Sequence, residues 1–235
     1  MNLSHPPFLQ KHLFILVHIK GLLAGGFSKR SYSQWGEDIV LQKIFTALKN
    51  GFYVDVGAYH PFHYSNTYLL YKKGWRGVNV DSNHSSIALF NWHRPRDINL
   101  NYGVLSKVTS KPYYVFNHQS CNTFSEEQKE KMLKKSYISL IDTKSVPCMP
   151  LQHMLDTHAP GRAIDFLNVD VEGANFEVLQ TLDLQRVAPR VICIEDDDFN
   201  FTPPSGRSST ICQLLSKSGY SLHSKIGPSC IYVRE

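Results

Sequence analysis

Apolar residues along this chain gather into short unbroken runs that stop at a glycine or an acid, and Gly51 to Asn83 holds the most complete example. Phe52, Tyr53, Val54 and Val56 form a β-branched and aromatic run ending at Gly57, the pattern of a parallel strand buried on both faces. A loop, Ala58 to His63, follows. Asn66 to Lys73 carries apolar residues at a spacing that predicts a short helix, Gly74 ends it, and Gly77 to Val80 is a second strand closing on Asp81.

The pattern then repeats. Ser85 to Asn91 reads as a helix ended by Pro95, and Ile98 to Asn101 as a third strand. Further on, Ile164 to Val171 and Arg190 to Ile194 are buried strands, with helices at Phe176 to Leu182 and Thr210 to Ser218. Tyr220 to Ser224 and Cys230 to Val233 close the chain as a hairpin across Gly227-Pro228. Strands alternating with helices predict an α/β domain: a doubly wound, mostly parallel seven-stranded sheet with an antiparallel C-terminal hairpin. Residues 108–145 break the alternation. They hold a β-rich run, Lys111 to Phe116, and a polar helix, Glu126 to Lys135, and read as an insertion beside the site; Val146 to Met149 and a helix through Leu151, Met154 and Leu155 resume the order.

Ahead of this unit, Ser33 to Leu48 is an amphipathic helix with Ser33 as its expected N-cap and Glu37 and Asp38 in its early turns. Residues 1–30 form a separate extension, read as helical, and 31–235 the main domain. Phe8 to Phe27 is apolar but interrupted by Lys11, His12, His18 and Lys20, too charged for a span of about 20 apolar residues. Two readings stay open for 8–27: a helix packed on the domain or on a second copy in a homodimer, or an interfacial helix touching a membrane through Phe14, Leu16, Val17 and Leu23.

At 235 residues and 42% hydrophobic content the chain builds one core. A net charge of +5 spread without an aromatic-interleaved basic stripe argues against nucleic acid as a partner. Five cysteines with no CxxC pair fit a reduced, cytoplasmic setting.

Ligands of open α/β sheets bind outside the carboxyl ends of the strands, where a glycine admits the backbone and an acid about 20 residues on takes ribose hydroxyls. Gly57 and Asp81 fit these roles. A dinucleotide fingerprint would show three glycines, whereas Asp55-Val56-Gly57-Ala58-Tyr59-His60 has one. The Asp55 carboxylate there would repel a pyrophosphate and suits a ligand whose near end is cationic.

The segments SQWGEDIVLQKIF, FYVDVGAYHP, SNTYLLYKKGWRGVNVDSN, NTFS and IDFLNVDVEG, in this order and spacing, resemble the FkbM family of S-adenosylmethionine-dependent methyltransferases from Ser31 onward. The resemblance implies a Rossmann-like fold of the class I methyltransferase type and S-adenosylmethionine as cofactor. The acceptor it implies is a hydroxyl on a sugar, glycan or other small natural product. Cofactor contacts are then expected from Asp55, Gly57, Ala58 and Tyr59, from Asn66 and Thr67, from Asp81, Ser82 and Asn101, and from Asp170. It also lays the segment of Gln34 and Glu37 over the cofactor. The chain departs from the family at Tyr59, where a small polar residue is usual.

Asp170, Glu172, Glu195, Asp196 and Asp197 all follow strands expected to be neighbours. Such a concentration of acids calls for a cation, a shared proton or solvent. Two mechanisms stay open: Mg²⁺ held by Asp170, Glu195 and Asp196 to acidify an acceptor hydroxyl, or a carboxylate among Asp170, Glu172 and Glu195 acting as general base. His153, His158 and His223 are alternative bases. The competing classes are a nucleotide-binding oxidoreductase or sugar-modifying enzyme, which would need the glycine-rich phosphate loop this chain lacks, and a non-catalytic binding module on the same fold.

Overall fold

A computed structural model describes residues 29–171, 173–196, 198–199 and 209–235. The chain divides into two units, Met1–Ser31 and Tyr32–Glu235. The expected N-terminal helix and the stretch 8–27 lie outside the described residues, as do Glu172 and Asp197.

Within Tyr32–Glu235, helix α1 (Glu37–Ile44) starts later than Ser33 would set it. Gly36, at φ 97°, occupies the cap, while the Ser33 hydroxyl accepts the N–H groups of Gly36 and Asp38 and donates to Asp38 Oδ1. The first-turn acids are folded inward, Glu37 only 2% exposed and Asp38 1%.

Strands β1 (Phe52–Val56) and β2 (Arg76–Val80) flank helix α2 (Tyr68–Lys72), as the pattern of Gly51 to Asn83 requires. Helix α3 (His84–His93), capped by Asn83, leads to β3 (Ile98–Leu100). After the insertion come α5 (Leu151–His158), β7 (Phe166–Val169), α6 (Asn175–Gln180), a short α7 (Leu184–Val187), β8 (Val191–Glu195), α8 (Thr210–Lys217), and the hairpin β9 (Tyr220–Ile226) and β10 (Ser229–Arg234). The seven strands run in the order β3-β2-β1-β7-β8-β10-β9. All pairs are parallel as far as β8, and β10 is antiparallel to both β8 and β9.

Alternation along the central strands fills both faces. Val54, Val56, Leu167 and Ile192 pack with Leu151, Leu155, Val178 and Leu215 of α5, α6 and α8. Tyr53, Phe166 and Cys193 pack on the other face with Leu41 and Phe45, Leu70 of α2, and Trp75. Each fully buried large side chain contributes roughly 1.5–3 kcal/mol.

The insertion is a second, three-stranded sheet in the order β4-β6-β5, built from β4 (Gly103–Val104), β5 (Thr109–Phe116) and β6 (Leu140–Met149). β4 runs parallel to the end of β6, so Gly103 lies opposite Cys148 and Val104 opposite Met149. Helix α4 (Glu126–Leu133), capped by Ser125, buries none of its residues, which makes its Lys/Glu run a solvated face. None of the described helices is long and apolar enough to cross a membrane.

Candidate functional site

The carboxyl ends of β1, β2 and β7 meet at Gly57. Its N–H donates to Val80 O (2.9 Å), the Ala58 N–H does the same (3.1 Å), and Asp170 N–H donates to Val56 O (3.0 Å). Gly57 sits at φ +77°, and a Cβ there would lie 1.8 Å from the Asp170 carbonyl oxygen. The glycine is therefore required first for two strand-end loops to touch, and only then as backbone open to a ligand.

Asp81 ties the loop after β1 to the one after β2. Its Oδ2 accepts the Tyr59 N–H (2.8 Å) and its Oδ1 the Asn83 N–H (2.7 Å). Burial raises its carboxyl to about 6, against the lowering effect of these two hydrogen bonds. Asn101, expected at the cofactor, does not line the cavity above the strand ends. Its amide donates to the carbonyls of Asp81 (2.9 Å) and Ser82 (3.0 Å), and so braces the loop from behind.

Beneath the strand ends lies a buried polar network. Asp55 accepts from Thr67 Oγ1 (2.6 Å) and from Asn168 Nδ2 (2.9 Å), and Asn66 donates to Asn168 (2.9 Å). Arg94, fully buried, donates to Thr67 Oγ1 (2.8 Å), Ser65 Oγ (2.8 Å) and the Pro61 carbonyl. Burial raises the Asp55 carboxyl, opposed by the Thr67 hydrogen bond, the Arg94 charge and the Asn168 hydrogen bond. Thr67 is wholly committed to this network.

A cavity of about 730 Å³ opens over these ends. It is lined by Asp55, Gly57, Ala58 and Tyr59, by Asn66, Asp81 and Ser82, and by Asp170. Thr67, Asn101, Glu195 and Asp196 do not line it. Gln34 reaches the cavity, but Glu37 is turned inward, accepting from Ser229 Oγ (2.9 Å) and Trp35 N–H (2.9 Å).

The acids past β7 and β8 diverge. Asp170 is exposed on the cavity wall. Asp196 is 2% exposed and accepts from the Oγ of Ser209 (2.6 Å), the N-cap of α8, while its own N–H donates to Pro228 O (3.1 Å). Glu195 ends β8, its carbonyl taken by Asn175 Nδ2 (3.1 Å). Among the described residues no three His, Cys, Asp or Glu side chains form a metal-holding group. Of the expected Mg²⁺ set of Asp170, Glu195 and Asp196, only Asp170 lines the cavity, and Asp196 is buried against Ser209.

The far wall of the cavity comes from the insertion: Tyr113, His118, Asn122, Thr123, Phe124 and Gln128, with Tyr64 and Tyr102 at its sides. Asn122 is held by the Phe116 N–H (2.8 Å), and burial raises the Tyr113 hydroxyl well above its usual range. Periodicity could not single these residues out; the insertion expected beside the site at 108–145, with its NTFS segment, pointed to this wall. His153, His158 and His223 do not line the cavity, whereas His118 does.

Among curated proteins none matches the chain. Solved structures that align with it include the TehB-like SAM-dependent methyltransferase from Corynebacterium glutamicum ATCC 13032 Kitasato, 10% identical, with a TM-score of 0.41 over 97% of this chain and 99% of that one. A SAM-dependent methyltransferase from Aquifex aeolicus is 14% identical, with a TM-score of 0.36 over 85% of this chain and 88% of that one. The family model described as the methyltransferase FkbM domain matches residues 55–222, a span that begins at Asp55 and takes in Asp81, the insertion and Asp170. With most of its length inside that match, the chain belongs to the FkbM methyltransferase family.

Proposed function

We propose that this protein methylates a hydroxyl oxygen of a neutral, polyhydroxylated acceptor, a sugar, glycan or related natural product, using S-adenosylmethionine. The observation that carries the reading is the make-up of the cavity. Carboxylates stand on the strand-end side, the insertion side offers hydroxyl, amide and aromatic groups, and no Lys or Arg is among the described lining residues. A phosphorylated or carboxylated acceptor would call for a cation there, and neutral hydroxyls do not.

The strand-end residues fit the cofactor. Asp81 can take ribose hydroxyls, because each of its oxygens keeps acceptor capacity beyond the backbone N–H it already holds. Asp55 and Asp170 give the neighbouring wall the negative charge that an ammonium and a sulfonium require. When bound, the cofactor supplies an activated methyl group on a cationic sulfur. The chain's share is alignment, worth up to about 7–11 kcal/mol in well-oriented systems, and removal of the hydroxyl proton. Asp170 takes that proton. It is exposed on the cavity wall, where a bound cofactor and acceptor would cover it and desolvate it.

Titration calorimetry with S-adenosylmethionine, followed by transfer of a labelled methyl to a panel of hydroxylated acceptors, tests the reading. Saturable binding is expected, and Asp170→Asn should still bind the cofactor, more weakly for the lost charge, and at saturating cofactor should transfer about 10²–10⁴-fold more slowly. Absence of binding would remove the reading, and an unchanged rate in Asp170→Asn would remove the base.

A further inference from the structure

Two tyrosines on the rim of the cavity have a backbone conformation that residues with a side chain seldom take, Tyr59 at φ 54° and Tyr64 at φ 52°. Burial does not repay this strain, since Tyr59 is 37% exposed and Tyr64 63%. The loop between them is nonetheless held at several points. Tyr59 N–H is fixed on Asp81. His60 Nδ1 accepts the N–H groups of Phe62 (3.3 Å) and His63 (3.2 Å). Arg94 grips the Pro61 carbonyl and Ser65 Oγ from below, and Ser65 N–H reaches Tyr32 O (2.9 Å). The outcome of all this restraint is that the two phenol rings lie nearly parallel, 27° apart with centroids 6.3 Å from each other.

Rigid, exposed aromatic faces offer apolar contact area at little cost in conformational entropy. The cofactor's polar anchors lie at the strand ends, and the ring pair lies on the rim. Resting on the methyltransferase reading above, we propose that Tyr59 and Tyr64 form an acceptor ledge, on which the C–H face of a pyranose ring stacks. The ledge selects cyclic sugars over open-chain polyols, because only the closed ring presents a flat apolar face beside its hydroxyls.

Saturation-transfer NMR on the full chain with S-adenosylhomocysteine present tests this. The probes are the methyl pyranosides of glucose, mannose and galactose, with sorbitol as the open-chain control. Saturation should reach the pyranoside ring protons and not sorbitol. Tyr64→Phe should keep the effect. Tyr64→Gly, which accepts the left-handed backbone and removes the ring, should cut it about fivefold or more, with S-adenosylhomocysteine affinity in both variants within about twofold of the parent by calorimetry. The ledge is overturned if no pyranoside responds, if sorbitol responds equally, or if Tyr64→Gly responds like the parent. A roughly tenfold loss of S-adenosylhomocysteine affinity in Tyr64→Gly overturns it too, by assigning the ring to the cofactor. A parent that binds no S-adenosylhomocysteine overturns both the ledge and the methyltransferase reading, whereas cofactor binding without any pyranoside response strikes the ledge alone.

Discussion

Thr67 stands between a buried anion and a buried cation: its hydroxyl donates to Asp55 at 2.6 Å and accepts from Arg94 at 2.8 Å. The cavity floor thus rests on a charge pair relayed through one hydroxyl. Removing Arg94 leaves Asp55 uncompensated and frees the Pro61 carbonyl and Ser65 hydroxyl. Arg94→Met should destabilise the protein by about 3–5 kcal/mol, a fall of roughly 6–20 °C in Tm for a chain of this length. A calorimetric scan that finds the variant within a degree or two of the parent would refute the relay.

Gly57 is the place where cofactor binding and folding make opposite forecasts. A glycine needed only for ligand approach could be replaced with little effect on the ligand-free Tm. The carbonyl of Asp170, 1.8 Å from a Cβ at this position, and the φ of +77° predict instead that Gly57→Ala costs about 2–5 kcal/mol without any ligand present. Urea denaturation of the ligand-free variant decides between them.

Asp81 carries two pH trends of opposite sign. Its carboxyl is raised by burial from 3.8 to about 6 in the folded chain. The stability gained from keeping it neutral is present in full below about pH 4 and is lost as pH rises through about 6. Relative to Asp81→Asn, which cannot ionise, the parent should lose about 2–3 kcal/mol between pH 4 and 7. Cofactor binding should run the other way, because ribose hydroxyls donate to the carboxylate, so affinity weakens as pH falls below about 6. An affinity that stays level from pH 8 to 5 would take Asp81 out of the ribose site.

Glu37, expected near the ligand, is a clamp between the start of α1 and the start of β10. Glu37→Ala strands the Ser229 hydroxyl and the Trp35 N–H and should cost about 1–3 kcal/mol. S-adenosylmethionine affinity should be unchanged in the folded variant. A selective loss of affinity at constant Tm would return Glu37 to the site.

The parallel core is legible in sequence because each buried strand is an apolar run closed by Gly57, Asp81, Asp170 or Glu195, and the hairpin because Gly227-Pro228 separates two such runs. What sequence hides is side-chain direction. Arg94, just before Pro95 at the end of a helix, carries no mark of burial in the sequence, yet it is fully buried beneath the strand ends. Asp196 reads like Asp170, yet one residue beyond β8 the chain has turned it inward to Ser209. The four residues of α7, capped by Asp183, are too few to show a period, and the exposed first half of β6, Leu140 to Ser145, lacks the apolar alternation that marks a strand. Of the expected contacts, those at strand ends reach the cavity, while Thr67 and Asn101 serve as struts behind it.

The pairing of Val104 with Met149 means that the insertion leaves the domain and re-enters it at the same doorway. Its sheet, its capped helix and the far wall of the cavity all fall between these two paired positions. Everything that would grip the acceptor from the far wall can therefore be exchanged as a cassette, cut at 105 and 148, without moving the strand ends. Grafting the corresponding segment from a relative should change the contacts that the far wall offers an acceptor, while the Tyr59–Tyr64 ledge and the cofactor side stay those of the host.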